Sequence, residues 1–149
     1  MNGRGPLAVL VLALAPILCA GTASAQTVVG TALEFGLLAT WAADCTQPPG
    51  RNNIHSTYVA RDGEVLNLHD AGPTFLEDKY VVRAAKPAGA DLLTIQTLSV
   101  QGLMATITLR RIGDKMQIWR VVAPNNSVPV NNGRFTANDA VIPALSRCK

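Results

Sequence analysis

Few side chains in this sequence have the type and spacing to do chemistry. There are two histidines, His55 and His69. Asp62-Gly63 separates the runs His55–Arg61 and Glu64–His69, and Asp-Gly between strand-like runs is a strong signal for a two-residue hairpin turn. In that register Arg61 faces Glu64, Val59 faces Leu66, Thr57 faces Leu68, and Ser56 lies across from His69, with Asp70 next along the chain. A serine–histidine–acid trio is the hydrolytic arrangement on offer. It comes without a G-x-S-x-G elbow or an evident oxyanion donor. The expectation is therefore a cross-strand hydrogen bond on the wet face of the hairpin, shared with Tyr58 and Asn67, and no catalytic residue. Val59, Leu66 and Leu68 occupy the other face, which the alternation of residue types marks as the buried one.

A second hairpin carries the other candidate surface. Gly113-Asp114 joins Leu103–Ile112 to Lys115–Val122. The two-residue register puts Arg110 and Trp119 on one face with Thr106, Thr108 and Gln117. An arginine beside an indole there would take an anion or a glycan, or be a plain cation–π contact on a solvated strand face. The opposite face carries Leu103, Ala105, Ile107, Leu109, Met116, Ile118, Arg120 and Val122, which sends Arg120 inward. A strand bulge would turn it out again.

Other chemistries are absent from the pattern. His55, His69, Asp44 and Asp70 match no metal-ligand spacing. Glu77 and Asp78 are adjacent, so a strand would aim them at opposite faces. The glycines are isolated turn residues, so no loop cradles a phosphate. No metal and no cofactor is expected. A net charge of +3 with acids and bases interspersed is no nucleic-acid footprint.

The start of the chain is an address. Arg4 precedes the apolar run Leu7–Ala20, and Ala23-Ser24-Ala25 supplies an A-x-A end. This is the layout of a secretory signal peptide over residues 1–25, and the run is shorter than the ~20 residues that span a bilayer. Cleavage after Ala25 leaves one domain, residues 26–149, with no membrane span, in the periplasm or outside the cell. Of three cysteines, Cys19 leaves with the signal. Cys45 and Cys148 remain, and two cysteines in an exported chain are expected to form a disulfide.

The elements that must position these residues are short strands. Thr31–Leu37 reads as one helical turn with Thr31 as its cap and Glu34 as the capping-box partner, preceded by a mobile lead from Gln26 to Gly30. Leu38–Ala43, with Trp41, reads as a strand, and Thr46–Asn53 is turn chemistry. Lys79–Ala85 and Leu92–Val100 are strand-like, with Lys86–Asp91 turning between them. Asn131-Asn132-Gly133 marks a third hairpin, with Pro129 holding its strand to an edge. Hairpin follows hairpin without long crossovers. That predicts an all-β fold, an antiparallel up-and-down barrel of about eight strands, with a β-sandwich as the alternative.

Leu37-Leu38-Ala39-Thr40-Trp41 resembles the G-x-W opening of lipocalin-like (calycin-like) proteins and of small bacterial metalloprotease inhibitors, with Ala39 where those proteins carry glycine. The resemblance implies a barrel whose tryptophan packs at the closed end under an arginine from a late strand or the tail. Arg120 fits by register and Arg147 by position in the tail. Cys45-Thr46-Gln47-Pro48 with Cys148 also resembles a family of small exported, uncharacterised alphaproteobacterial proteins, which implies export and pairing but no activity. The expected function is a non-enzymatic exported barrel that binds an exported protein, in the manner of a protease inhibitor, or a small apolar ligand. The alternatives are a structural or stress-related envelope protein and, last, a hydrolase.

Overall fold

Tight turns cut the chain into strands too short to stand alone, and their pairing carries the succession around into a closed ring. The computed structural model describes residues 27–74 and 78–149. The signal peptide expected over residues 1–25 and the carboxylate of Glu77 lie outside them. A helix, α1 (Val28–Phe35), precedes ten strands: β1 (Thr40–Ala42), β2 (His55–Arg61), β3 (Glu64–Asp70), β4 (Asp78–Gly89), β5 (Leu92–Ser99), β6 (Met104–Ile112), β7 (Lys115–Val122), β8 (Val130–Asn131), β9 (Arg134–Phe135) and β10 (Leu145–Cys148). Strands β1 to β7 meander antiparallel. β10 then pairs with both β1 and β7 and closes an eight-stranded barrel, not a sandwich. β8 and β9 form a small hairpin joined to β7 through Val130 and Val121.

Two turns have the type I′ backbone that their sequences call for. Asp62 and Gly63 sit at φ 52° and 81°, and Asn132 and Gly133 at 52° and 70°. Positive φ at both central residues follows the right-handed twist of the flanking strands. The β2–β3 register is the expected one, from Arg61 opposite Glu64 to Ser56 opposite His69.

The faces of that hairpin are the reverse of the expectation. Tyr58, Val65 and Asn67 are buried, and Ser56 and His69 line the interior. Val59, Leu66 and Leu68 take the outer side, where Leu66 is covered between Val59 and Val81, its partners on β2 and β4. The hairpin has apolar residues at both parities, and barrel closure, not alternation, decides which side is concave.

The β6–β7 hairpin keeps its expected register for four pairs, from Ile112–Lys115 to Leu109–Ile118, and then slips. Trp119 is the extra residue of a bulge, and Thr108 pairs with Arg120. One extra residue reverses every side chain beyond it. Arg120 is exposed, and its Nη1 donates to Asn131 Oδ1 at 3.2 Å. It is not the inward anchor for Trp41. Two further boundaries differ. β4 runs on through Lys86–Gly89, with Pro87 beside a register shift that accommodates its missing N–H. The helix starts at Val28, three residues early, because Thr27 caps it: Thr27 Oγ1 accepts the Gly30 N–H at 3.0 Å. Thr31 is buried inside that helix, and Val28 to Gly30 are helical, not a mobile lead.

Gly36, at φ 79°, ends α1, and Leu37 N–H returns to Ala32 O at 2.8 Å. That Schellman-type closure drops Leu37 into the core with no exposed surface. Trp41 follows four residues later, 6% exposed, its Nε1–H donated to Leu37 O at 2.9 Å. α1 packs against β3 and β4. Its Ala32, with Leu37, Val65, Val82, Leu93 and Ile95, fills this end of the barrel. The arginine at Trp41 is Arg147. The two are direct cross-strand partners between β1 and β10, and Arg147 Nη2 donates to Leu38 O at 3.4 Å. Cys45, just past β1, is bonded to Cys148 on β10, with the Cα atoms 5.3 Å apart and a separation of 103 positions in sequence. The first and last strands are therefore joined by a ladder and a covalent bond at one seam.

Candidate functional site

The barrel is packed at its α1 end and hollow above it. The hollow is a cavity of about 590 Å3 that is open to solvent on one side. Strand alternation builds its walls. From β6 and β7 come Ile107, Leu109, Met116 and Ile118, and from β10 comes Leu145, all apolar. From β2 and β3 come Ser56, Tyr58, Asn67 and His69. Ile54 from the β1–β2 loop and Phe135 and Pro143 from the segment before β10 form the rim. Ile54 and Phe135 are each close to half exposed, at 44% and 45%. Arg51 and Asn52, both exposed, also line it from the β1–β2 loop. The site is thus an apolar wall facing a narrow polar strip with one solvent-exposed cation, the usual composition of a small-molecule pocket.

The polar strip is wired in one direction. Ser56 Oγ–H donates to Asn67 Oδ1 at 2.9 Å, and Asn67 Nδ2 lies 3.1 Å from His69 Nε2. Asn67 is 2% exposed, and these bonds satisfy both ends of its amide, which a buried polar group requires. The His69 ring also leans on Tyr80 from β4, with centroids 5.1 Å apart and planes at 52°. Burial holds the His69 imidazole below the usual histidine range, against the opposing pull of the Asp78 carboxylate. Burial pushes the Tyr58 phenol up, with the Ser56 hydroxyl opposing it. Burial, reinforced by Asp78, also raises Tyr80. At neutral pH all three are uncharged.

This geometry is not a hydrolytic triad. The Ser56 proton points at an amide oxygen, and His69 Nε2 is occupied by the same amide, so no base faces the hydroxyl. Asp70 accepts the Gly72 N–H at 2.9 Å in its own loop and does not line the cavity. His55 sits on the outer parity of β2, with its Nε2 3.2 Å from Asn53 Nδ2. Among the described residues no three His, Cys, Asp or Glu side chains group as metal ligands.

The remaining sequence candidates fall elsewhere. Arg110 and Trp119 do meet, the guanidinium carbon 4.6 Å from the ring centroid, on the outside of the barrel and away from the cavity. Trp41 and Arg147 border a smaller cleft of about 200 Å3 at the α1 end, with Phe35, Arg111 and Asp114. Ser56 and His69 were legible as a pair, but on the wrong face. Tyr58, Asn67 and Tyr80 were missed as site residues. One signal was available for Asn67: asparagine is depleted in strands, and one centred between Leu66 and Leu68 has to be paid for by specific hydrogen bonds. No protein-family model, no curated protein and no solved structure matches the chain.

Proposed function

We propose that this protein is an exported, non-enzymatic barrel that holds one small, largely apolar ligand in its lumen. The observation that carries the reading is the hollow itself, about 590 Å3 between an apolar wall and a hydrogen-bonded polar strip. A barrel of about eight strands either fills with side chains or leaves room for one small ligand, and sites of ~300–1,000 Å3 accept drug-sized molecules. The wiring of Ser56 and His69 into Asn67 supports binding over hydrolysis. Export to the periplasm or the medium is supported by the A-x-A leader and by the Cys45–Cys148 bridge, which belongs to an oxidising compartment. The lipocalin-like opening at Trp41 agrees with the same reading.

A protease-inhibitor-like role draws less support, because Val28–Phe35 is a capped helix folded onto β3 and β4 and not an arm that reaches out. The test is native mass spectrometry of protein recovered from the periplasm, with titration by the neutral fluorophore N-phenylnaphthylamine. The expected result is a bound small molecule, or saturable uptake of one fluorophore per chain that the small molecule displaces. A barrel that takes up neither, yet captures an exported protein in a pull-down, would replace this reading with the protein-binding one.

A further inference from the structure

The polar strip also specifies what the ligand must offer it, and this inference rests on the lumen reading above. An amide nitrogen only donates, so the contact from Asn67 Nδ2 makes His69 Nε2 an acceptor. A neutral imidazole that accepts at Nε2 carries its proton at Nδ1. Ser56 spends its own proton on Asn67 Oδ1. The chain of bonds therefore runs from Ser56 through Asn67 to His69, and its free end is the Nδ1–H of His69.

That N–H has no hydrogen-bond partner among the described residues. It is also not sealed in: among the described residues no fully buried side-chain nitrogen or oxygen lacks a partner, and His69 lines the cavity. Tilted contact with Tyr80 braces the ring. The Ser56–Asn67–His69 chain thus ends in an accessible donor, in a cavity whose other lining includes Ile107, Ile118 and Leu145 and, exposed to solvent, Arg51 and Asn52.

We propose that the lumen selects an uncharged apolar molecule bearing a hydrogen-bond acceptor, a ketone, ester or quinone-type carbonyl, seated on His69 Nδ1–H. A carboxylate seated at His69 would face an uncharged imidazole on which the Asp78 carboxylate also acts, while the cation in the cavity lining, Arg51, is exposed to solvent, and a charge buried without a partner is costly. An ammonium group would bring a second donor to a donor. A plain hydrocarbon would leave the Nδ1–H without a partner, a loss that buried polar groups feel.

The experiment displaces N-phenylnaphthylamine from the disulfide-bonded protein with four chain-matched probes: methyl nonyl ketone, undecene, undecanoate and undecylamine. A net hydrogen bond of ~0.5–1.5 kcal/mol predicts that the ketone binds about two- to thirteenfold tighter than undecene, with undecanoate and undecylamine weaker than the ketone. His69→Phe should bring the ketone down to the level of undecene, the two compared as a ratio so that any change in fluorophore affinity cancels. Imidazole nitrogen NMR of the unmutated protein gives a second reading that needs no variant. The free protein should show His69 protonated at Nδ1, and the ketone should move the Nδ1 signal. Equal affinity of ketone and undecene, tighter binding of undecanoate, or a proton on Nε2 would each overturn the proposal and leave the lumen reading standing. Failure of the fluorophore and every probe to bind would overturn both.

Discussion

Replacing Ile118 by tryptophan separates a hollow barrel from a filled one. Ile118 is half-buried on β7, and its side chain lines the cavity. The larger ring adds roughly two water-sized volumes at ~30 Å3 each, about a tenth of the 590 Å3 present. In a filled core such an insertion costs ~1–3 kcal/mol through forced rotamers and backbone shifts. At roughly 4 °C per kcal/mol for a domain of this size, that is a Tm loss of about 4–12 °C. In the hollow barrel the ring enters free space and buries new apolar surface at ~25 cal/mol per Å2, so the Tm should hold or rise. The same ring occupies ligand space against Ile107, and affinity for N-phenylnaphthylamine should fall at least about tenfold, ~1.4 kcal/mol. Thermal melts and fluorophore titrations on Ile118→Trp and the unmutated protein give both readouts. A lower Tm with undiminished fluorophore binding would refute the reasoning, because it would place Ile118 in packed core and the binding somewhere else.

Other consequences are simpler to state. Cys148→Ser, or reduction, opens a loop closed between cysteines 103 positions apart in sequence. It should cost up to ~4.7 kcal/mol in the chain-entropy account, and a melt that is the same with and without reductant would contradict the seam's role. Trp41→Ala should cost ~3–5 kcal/mol, as for a buried aromatic, whereas Arg120→Ala, on the exposed side of a bulge, should stay within ~0.5 kcal/mol in denaturant unfolding; the reverse order would restore Arg120 as the anchor. His69 is held below its ordinary range, so the unfolded chain takes up its proton first as the pH falls through about 6.5. Stability should therefore be level above that pH and decline below it, down to the folded-state pKa. His69→Gln should flatten the decline in melts across the acid range, and an unchanged slope would detach it from His69.

What the sequence determined by itself is local. Asp62-Gly63, Gly113-Asp114 and Asn132-Gly133 fix where strands reverse, because only certain residues tolerate the positive φ that those turns use. From them followed the strand count, the β2–β3 register and the barrel class. The two cysteines also named their own pairing, there being no competitor in the chain after Ala25. What only the tertiary structure decided is which side of each strand became the inside. Val59, Leu66 and Leu68 compete with Tyr58 and Val65 for the core at nearly equal apolar character. The choice fell with the closure of β10 onto β1 and β7, an event more than seventy residues away in the chain. The bulge at Trp119 carries no glycine to announce it, so Arg120 read as inward, whereas Arg147 is the arginine paired across the strands with Trp41. The site suffered most from this. Period-two alternation gives two answers that differ by a flip, and the flip that closure selected put Ser56, Tyr58, Asn67 and His69 into the lumen.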